Sequence, residues 1–237
     1  GLDALLLSPG SDLRYLTGYA AKATERLTLL VLPVDGPVTL VVPRLERPAA
    51  EASPVESLGV TLVDYADGTD PYPLVAAAAK GAATVGLANR MWAEQVLALR
   101  DALPATHQRL AGDVLRELRL RKSAAEVEAL RRAGATIDAV HARMGDWLRP
   151  GRTEAAVAAD IAAAMRAAGH ESVDFTIVAS GPNGASPHHH TSARVIEPGD
   201  PVVVDIGGTM ADGYCSDCTR TYVAGGRPPA DFAEYYA

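Results

Sequence analysis

Residues 202–223 read VVVDIGGTMADGYCSDCTRTYV. Two carboxylates, Asp205 and Asp217, sit inside runs that otherwise look like β-strands. A buried carboxylate is costly unless a cation or hydrogen-bond donors meet it. Strand side chains alternate faces, so Asp205 shares a face with Val203, and Asp217 shares one with Cys215, Thr219 and Thr221. The turn between the strands decides whether the two acids meet. A two-residue Asp212-Gly213 turn would put them on opposite sides. A three-residue loop, Ala211-Asp212-Gly213, sets Asp217 opposite Gly207 and Asp205 opposite Thr219. The carboxylates then become diagonal neighbours, with Cα atoms about 7–8 Å apart. Gly213 suits the last position of such a loop, which takes the left-handed conformation. A bulge at Gly207-Gly208 would give the same parity. Gly207, having no side chain, is expected to leave room beside Asp217.

Two carboxylates on one face repel unless a proton or cation lies between them. Divalent metals with oxygen ligands are one answer. A shared proton, ion pairs with Arg194 or Arg220, and solvation at a sheet edge are others, and spacing alone leaves the metal level with them. Arg220 points to the opposite face, which weakens its candidacy. The run His188-His189-His190 follows a loop, Ser180 to Pro187. Adjacent residues of an extended chain alternate, so at most two of the three can face one site. Either the imidazoles are solvated, or one enters a cleft as a donor or acid/base group. His107, His141 and His170 are isolated and are expected at the surface or in helix packing. Cys215 and Cys218 have CxxC spacing, but residues three apart on a strand face opposite ways, so packed or semi-exposed thiols are expected rather than a zinc half-site. There is no glycine-rich phosphate loop after a strand and no G-x-S-x-G elbow.

The elements that must position these groups fall into two halves. Short apolar strands are expected at Ala4–Leu7, Leu27–Leu32, Val38–Val42, Val60–Val63 and Thr84–Leu87. The second and third form a hairpin around Val34-Asp35-Gly36-Pro37. A helix follows over Ala93–Leu103. This is mixed α/β. From Arg116 to Lys122 the chain is basic, with interleaved leucines, and reads as a solvated helical link. Ser123-Ala124-Ala125-Glu126 is a capping box. The helix it opens keeps its apolar period through Trp147 and stops at Pro150-Gly151. Thr153 caps a second helix, closed by Gly169. Strands follow at 173–179 and 202–206. The expected division is an N-terminal α/β domain over 1–115, a linker over 116–122 and an α+β domain over 123–237.

Composition excludes some classes. The 237-residue chain is 48% apolar and carries a net charge of −7. That argues against nucleic acid or an anionic membrane as a partner. Two cysteines suit a reducing compartment, and a cytoplasmic location is expected. The apolar run LTLLVLPV is too short to span a membrane and is interrupted by Pro33. No basic leader is seen, the chain does not start with Met and it ends on Tyr235-Tyr236-Ala237. Segments missing from both ends are expected.

In combination these residues resemble the pita-bread metallopeptidases, which include the Xaa-Pro dipeptidases (prolidases) and aminopeptidase P. The likeness rests on PHH at 187–189, VVDIGG at 203–208 and GYCSDCTRTY at 213–222, with DLRYLTGY at 12–19, LRKSAAEVEALRRA at 120–133 and PGRTEAAVAADI at 150–161 upstream. It implies a small α/β N-terminal domain, of creatinase N-domain type, followed by a pita-bread catalytic domain. It implies two divalent metal ions, manganese or cobalt first and zinc as a further candidate, held by two Asp, one His and two Glu. By motif, Asp205 resembles the first Asp ligand and Asp217 the bridging one. His188, directly after Pro187, resembles the His that helps bind substrate or the tetrahedral intermediate, and is the catalytic candidate. No role carries over to His189 or His190. The implied substrate is a peptide with proline in the second position, cleaved before that proline, by a homodimer. The His and Glu ligands would lie beyond residue 237, so the 237 residues alone are expected neither to hold the metal pair tightly nor to catalyse. A non-catalytic pita-bread binding module and a metal-free creatinase-like hydrolase are the alternatives, and the intact Asp pair counts against both.

Overall fold

The computed structural model describes residues 1–236. It divides into two compact units, Gly1–Arg121 and Lys122–Ala237.

The first unit is built on six strands: β1 (Ala4–Leu7), β2 (Leu29–Pro33), β3 (Thr39–Pro43), β4 (Thr61–Tyr65), β5 (Thr84–Leu87) and β6 (His107–Leu110). Their order is β4-β3-β2-β1-β5-β6. β2 and β3 form the expected antiparallel hairpin, and β5 lies parallel to β1. The helices are α1 (Ser11–Thr17), α2 (Arg47–Glu51), α3 (Tyr72–Ala78), α4 (Ala93–Ala102) and α5 (Gly112–Leu120). Successive strand residues feed two separate cores. Leu6, Leu29 and Val31 pack with Val75 of α3 and Leu99 of α4. Leu7, Leu30 and Leu40 pack with Leu13 of α1, Ala50 of α2 and Leu115 of α5. A sheet covered on both faces needs apolar residues on both sides of each strand, which is why its strands read as continuous apolar runs rather than as alternation. The short helices α1 and α3 and the polar edge strand β6 carry no such signal and were not expected from the sequence. Residues 116–120 lie within α5, whose Leu115 is buried in the first unit's core.

The second unit holds α6 (Ala124–His141), α7 (Met144–Trp147), α8 (Glu154–Ala168), the strands β7 (His170–Ser180), β8 (Pro201–Met210) and β9 (Cys215–Val223), and α9 (Phe232–Tyr236). The strands form one antiparallel sheet, β7-β8-β9. The capping box is present. Ser123 Oγ accepts from the Glu126 N–H at 3.3 Å, and Glu126 Oε2 accepts from the Ser123 N–H at 2.6 Å. Ile137 and Val140 of α6 and Val157, Ile161 and Met165 of α8 pack on Val178, Val202, Val204 and Ile206. Ile161, Met165 and Ile206 are fully buried, and burial of each contributes about 1.5–3 kcal/mol. The opposite face of the sheet carries Asp205.

Two elements differ from expectation. The first helix of this unit does not run on to Trp147. It stops at His141, where the Arg143 N–H bonds back only three residues, to the Val140 carbonyl, and the chain restarts as α7. The His141 ring is committed elsewhere: Nδ1 lies 2.9 Å from the Tyr222 hydroxyl and Nε2 lies 3.0 Å from the Cys218 carbonyl oxygen. β7 is also longer than 173–179. It begins at His170 and has irregularities between His170 and Ser172 and between Val173 and Phe175. Bulges of this kind break strict alternation, which hides a strand's start from a period-two reading.

Candidate metal centre and histidine loop

β8 and β9 take the odd-loop register. Asp205 opposes Thr219 and Gly207 opposes Asp217. The ladder is closed by the Gly213 N–H bonding to the Met210 carbonyl and the Met210 N–H bonding to the Tyr214 carbonyl, both at 2.8 Å. Gly213 has φ of 88°, the left-handed value this loop needs. Asp205 and Asp217 are therefore diagonal neighbours on the face turned away from α6 and α8.

Gly207 does not leave open room beside Asp217. A side chain there would run into the Phe175 ring and the Ser216 carbonyl oxygen. The ring of Phe175, opposite Gly207 on β7, takes up the space. Gly208 points the other way, where a Cβ would meet the Ser172 carbonyl and the His170 ring. Each glycine is thus required by a different neighbour.

The two acids differ in surroundings. Asp205 is half-buried and Asp217 is exposed, so Asp217 carries little desolvation cost. Asp205 Oδ1 accepts a hydrogen bond from Thr219 Oγ1 at 2.6 Å. Neither arginine reaches the pair. Arg220 points across the sheet, its Nη2 lying 3.7 Å from Asp138 Oδ1 on α6. Arg194 donates to Asp200 Oδ2 at 2.5 Å and to Ser180 Oγ at 2.7 Å. What converges on this face is two hard oxygen donors that form no ion pair among the described residues, a set that fits divalent ions such as manganese and not a soft thiolate site. Among the described residues no group of three or more His, Cys, Asp or Glu is placed to hold an ion. The arrangement fits part of a metal site.

The thiols lie as expected. Cys215 is exposed, Cys218 is partly buried, and both are free. They oppose Thr209 and Ile206 respectively, on opposite faces. Burial raises the Cys218 thiol's pKa. His170 is buried between the Met165 carbonyl and Ser216 Oγ, and His141 ties α6 to β9. His107 is exposed on β6.

The histidines divide sharply. Ser186-Pro187-His188-His189 is a β-turn closed by the His189 N–H on the Ser186 carbonyl at 3.2 Å. His188 occupies its third position and is exposed. Among the described residues no hydrogen bond or ion pair joins it to Asp205 or Asp217. His189 turns inward instead. Its Nε2 lies 2.9 Å from Oε2 of Glu154, a residue with no exposed surface.

Glu154 escapes a reading of the sequence. It follows Thr153, whose side chain caps α8 by accepting from the Ala156 N–H at 3.2 Å, and a first-turn acid ordinarily faces solvent beside the helix dipole. Here it reaches into the loop that carries the histidines. Oε1 accepts from the Ser180 N–H at 2.7 Å, Ser180 Oγ at 2.8 Å and Asn183 Nδ2 at 2.9 Å. Oε2 accepts from His189 Nε2, the Ser192 N–H at 3.1 Å and Ser192 Oγ at 2.7 Å. Burial by itself would raise this carboxyl's pKa. Donation by Ser180, Ser192, Asn183 and His189 outweighs burial and holds it well below the usual carboxylate range. The only trace in the sequence is the crowd of short donors, Ser180, Asn183, His189 and Ser192, around one loop.

Comparison with known proteins places the chain. Residues 1–121 match the family model of the Creatinase/Prolidase N-terminal domain, and residues 128–237 match metallopeptidase family M24. The "Probable dipeptidase PepE" of Mycobacterium bovis is 52% identical over 238 residues, covering 100% of this chain and 63% of that protein. The crystal structure of dipeptidase PepE from Mycobacterium ulcerans matches with a TM-score of 0.90 and 55% identity, over 99% of this chain and 63% of that one. A recombinant prolidase from Thermococcus sibiricus matches with a TM-score of 0.88 and 33% identity, over 100% of this chain and 64% of that one. The chain thus spans less than two thirds of these relatives. With a creatinase-type N-terminal domain in its first half and an M24 domain in its second, it belongs to the pita-bread metallopeptidases of the Xaa-Pro dipeptidase and aminopeptidase P type.

Proposed function

We propose that this chain is part of a metal-dependent peptidase that hydrolyses the bond preceding proline in Xaa-Pro dipeptides or short peptides. The observation that carries this is the diagonal pair of Asp205 and Asp217, two oxygen donors on one sheet face, with Arg220 and Arg194 engaged elsewhere.

In this reading Asp205 and Asp217 would supply part of the oxygen ligand set for two divalent ions, manganese or cobalt. When bound, such ions polarise a carbonyl and lower the pKa of water toward neutrality. The rest falls to the chain itself. Thr219 donates to Asp205 Oδ1 and so fixes the carboxylate's rotation, leaving Oδ2 free to bind. His188, exposed at the tip of its turn, donates an imidazole N–H toward the substrate's carbonyl oxygen as negative charge develops there. The same reading carries a homodimer in the cytoplasm. The free thiols of Cys215 and Cys218 suit that compartment.

The test uses the full-length protein with manganese and an Xaa-Pro dipeptide. Cleavage is expected, lost on chelation and in Asp217→Ala. Full activity in Asp217→Ala, or cleavage that survives removal of metal, would overturn the assignment.

A further inference from the structure

We propose that Glu154 and His189 form a clamp whose task is to position His188, making them positioning residues for the reaction proposed above. The inference rests on that reading for the role of His188, but the clamp itself stands on geometry.

Among the described residues no hydrogen bond or ion pair holds the His188 side chain. It sits in the third position of a β-turn, exposed, and none of the described non-glycine residues has positive φ. The turn is therefore of the open-sequence type I class, with Pro187 favoured at its second position. The loop that carries this turn is tied at both ends. The inner stem is Ser180 and Asn183, both donors to Glu154 Oε1. The outer stem is His189 and Ser192, both donors to Glu154 Oε2. One carboxylate thus joins the two ends of the loop, with three donors on each oxygen.

The donors have matched polarity. Ser180 Oγ accepts from Arg194 Nη1 at 2.7 Å and donates its own O–H to Glu154 Oε1. Ser192 Oγ accepts from the Arg194 N–H at 3.1 Å and likewise donates to Oε2. His189 must carry its proton on Nε2 to donate to Oε2. The Glu154 backbone is tied to the same loop, its own N–H bonding to the Arg194 carbonyl at 3.1 Å and the Ala155 N–H to the Ser192 carbonyl at 3.0 Å. His189 is the only donor in the set adjacent in sequence to His188. His189 is the fourth residue of the turn, so holding its ring on the carboxylate fixes the end of the turn that presents His188 at its exposed tip.

The experiment uses the full-length, metal-loaded protein. Because Glu154→Gln replaces an acceptor oxygen with a donor and so disturbs the whole loop, the His189 variants carry the test. His189→Ala is expected to lower kcat/KM about tenfold to a hundredfold, and His189→Gln, which keeps an N–H donor, to recover most of it. In a His188→Ala background, His189→Ala should cost nothing further, since it acts through His188. Hydrogen exchange supplies a readout independent of turnover. Amides of 181–192 should exchange faster in His189→Ala, while those of α8 and β8 keep their protection. Multiplying losses in the double variant, failure of glutamine to rescue, or unchanged exchange in 181–192 would each overturn the clamp. Should the wild-type protein cleave no Xaa-Pro substrate, the proposed function falls, and the exchange difference alone still decides whether Glu154 and His189 hold the loop.

Discussion

Asp205 and Asp217 lie one diagonal step apart on the same face of the β8–β9 ladder, because Asp205 opposes Thr219 while Asp217 opposes Gly207. That relation depends on a single residue of loop length. With one residue fewer between Met210 and Tyr214, every side chain of β9 would turn to the other face. Asp217 would then point into the core built by Val204, Ile206 and the helices. The register is held by the apolar residues that would be expelled in exchange.

Thr219 is predicted to tune the site without forming it. Thr219→Val keeps the shape and removes the hydroxyl that donates to Asp205 Oδ1. Metal affinity of the full-length protein should fall about tenfold to a hundredfold, read by calorimetric titration with manganese. The melting temperature without metal should hardly change, since both residues keep some exposure. An unchanged affinity would remove the orienting role.

Gly207 is predicted to be a packing residue. Gly207→Ala drives a methyl group into the Phe175 ring and the Ser216 carbonyl, and overpacking of this kind typically costs about 1–3 kcal/mol. Thermal unfolding of Gly207→Ala combined with Phe175→Ala should show less loss than the two single changes added together. Strict additivity would mean that the backbone contact with Ser216, and not the ring, sets the penalty.

Glu154 makes a prediction about acid. Its native pKa lies below that of an ordinary glutamate, so the unfolded chain binds its proton first as pH falls. Its contribution is complete above the unfolded value of about 4.3 and is lost progressively below it, as pH falls toward the depressed native value. Glu154→Gln should flatten that part of the stability curve and lower stability at neutral pH, where the buried donors lose their acceptor. Chemical denaturation from pH 3 to pH 7 reads both effects. A curve parallel to wild type below pH 4 would show that the carboxylate's charge contributes nothing.

Local rules reach a long way into this chain, and each has a limit that can be traced to particular residues. The capping box at Ser123 and the cap at Thr153 are legible because they depend on residues within one turn. The β2–β3 hairpin is legible from its turn chemistry and apolar flanks. The end of α6 is not, because the apolar period continues through Met144 and Trp147 while His141 is held by Tyr222 and Cys218 from a distant strand. The same holds for Gly207. Its lack of a side chain is visible in the sequence, but the Phe175 ring that fills the space comes from another strand through a bulged register.

By itself the sequence determined the family, the β8–β9 strand pair, and the parity on which Asp205 and Asp217 depend: a two-residue turn separates them, while a three-residue loop or a bulge brings them to one face. These follow from short-range alternation and from motifs contiguous in the chain, and the structure takes the three-residue loop. Among three consecutive histidines, residue alternation left the choice open, and only the family resemblance singled out His188, the one directly after Pro187. Only the tertiary structure decided that His189 turns inward and His188 outward. The physical reason is Glu154, a buried carboxylate on another element, whose charge is tolerated only where six hydrogen bonds converge on it.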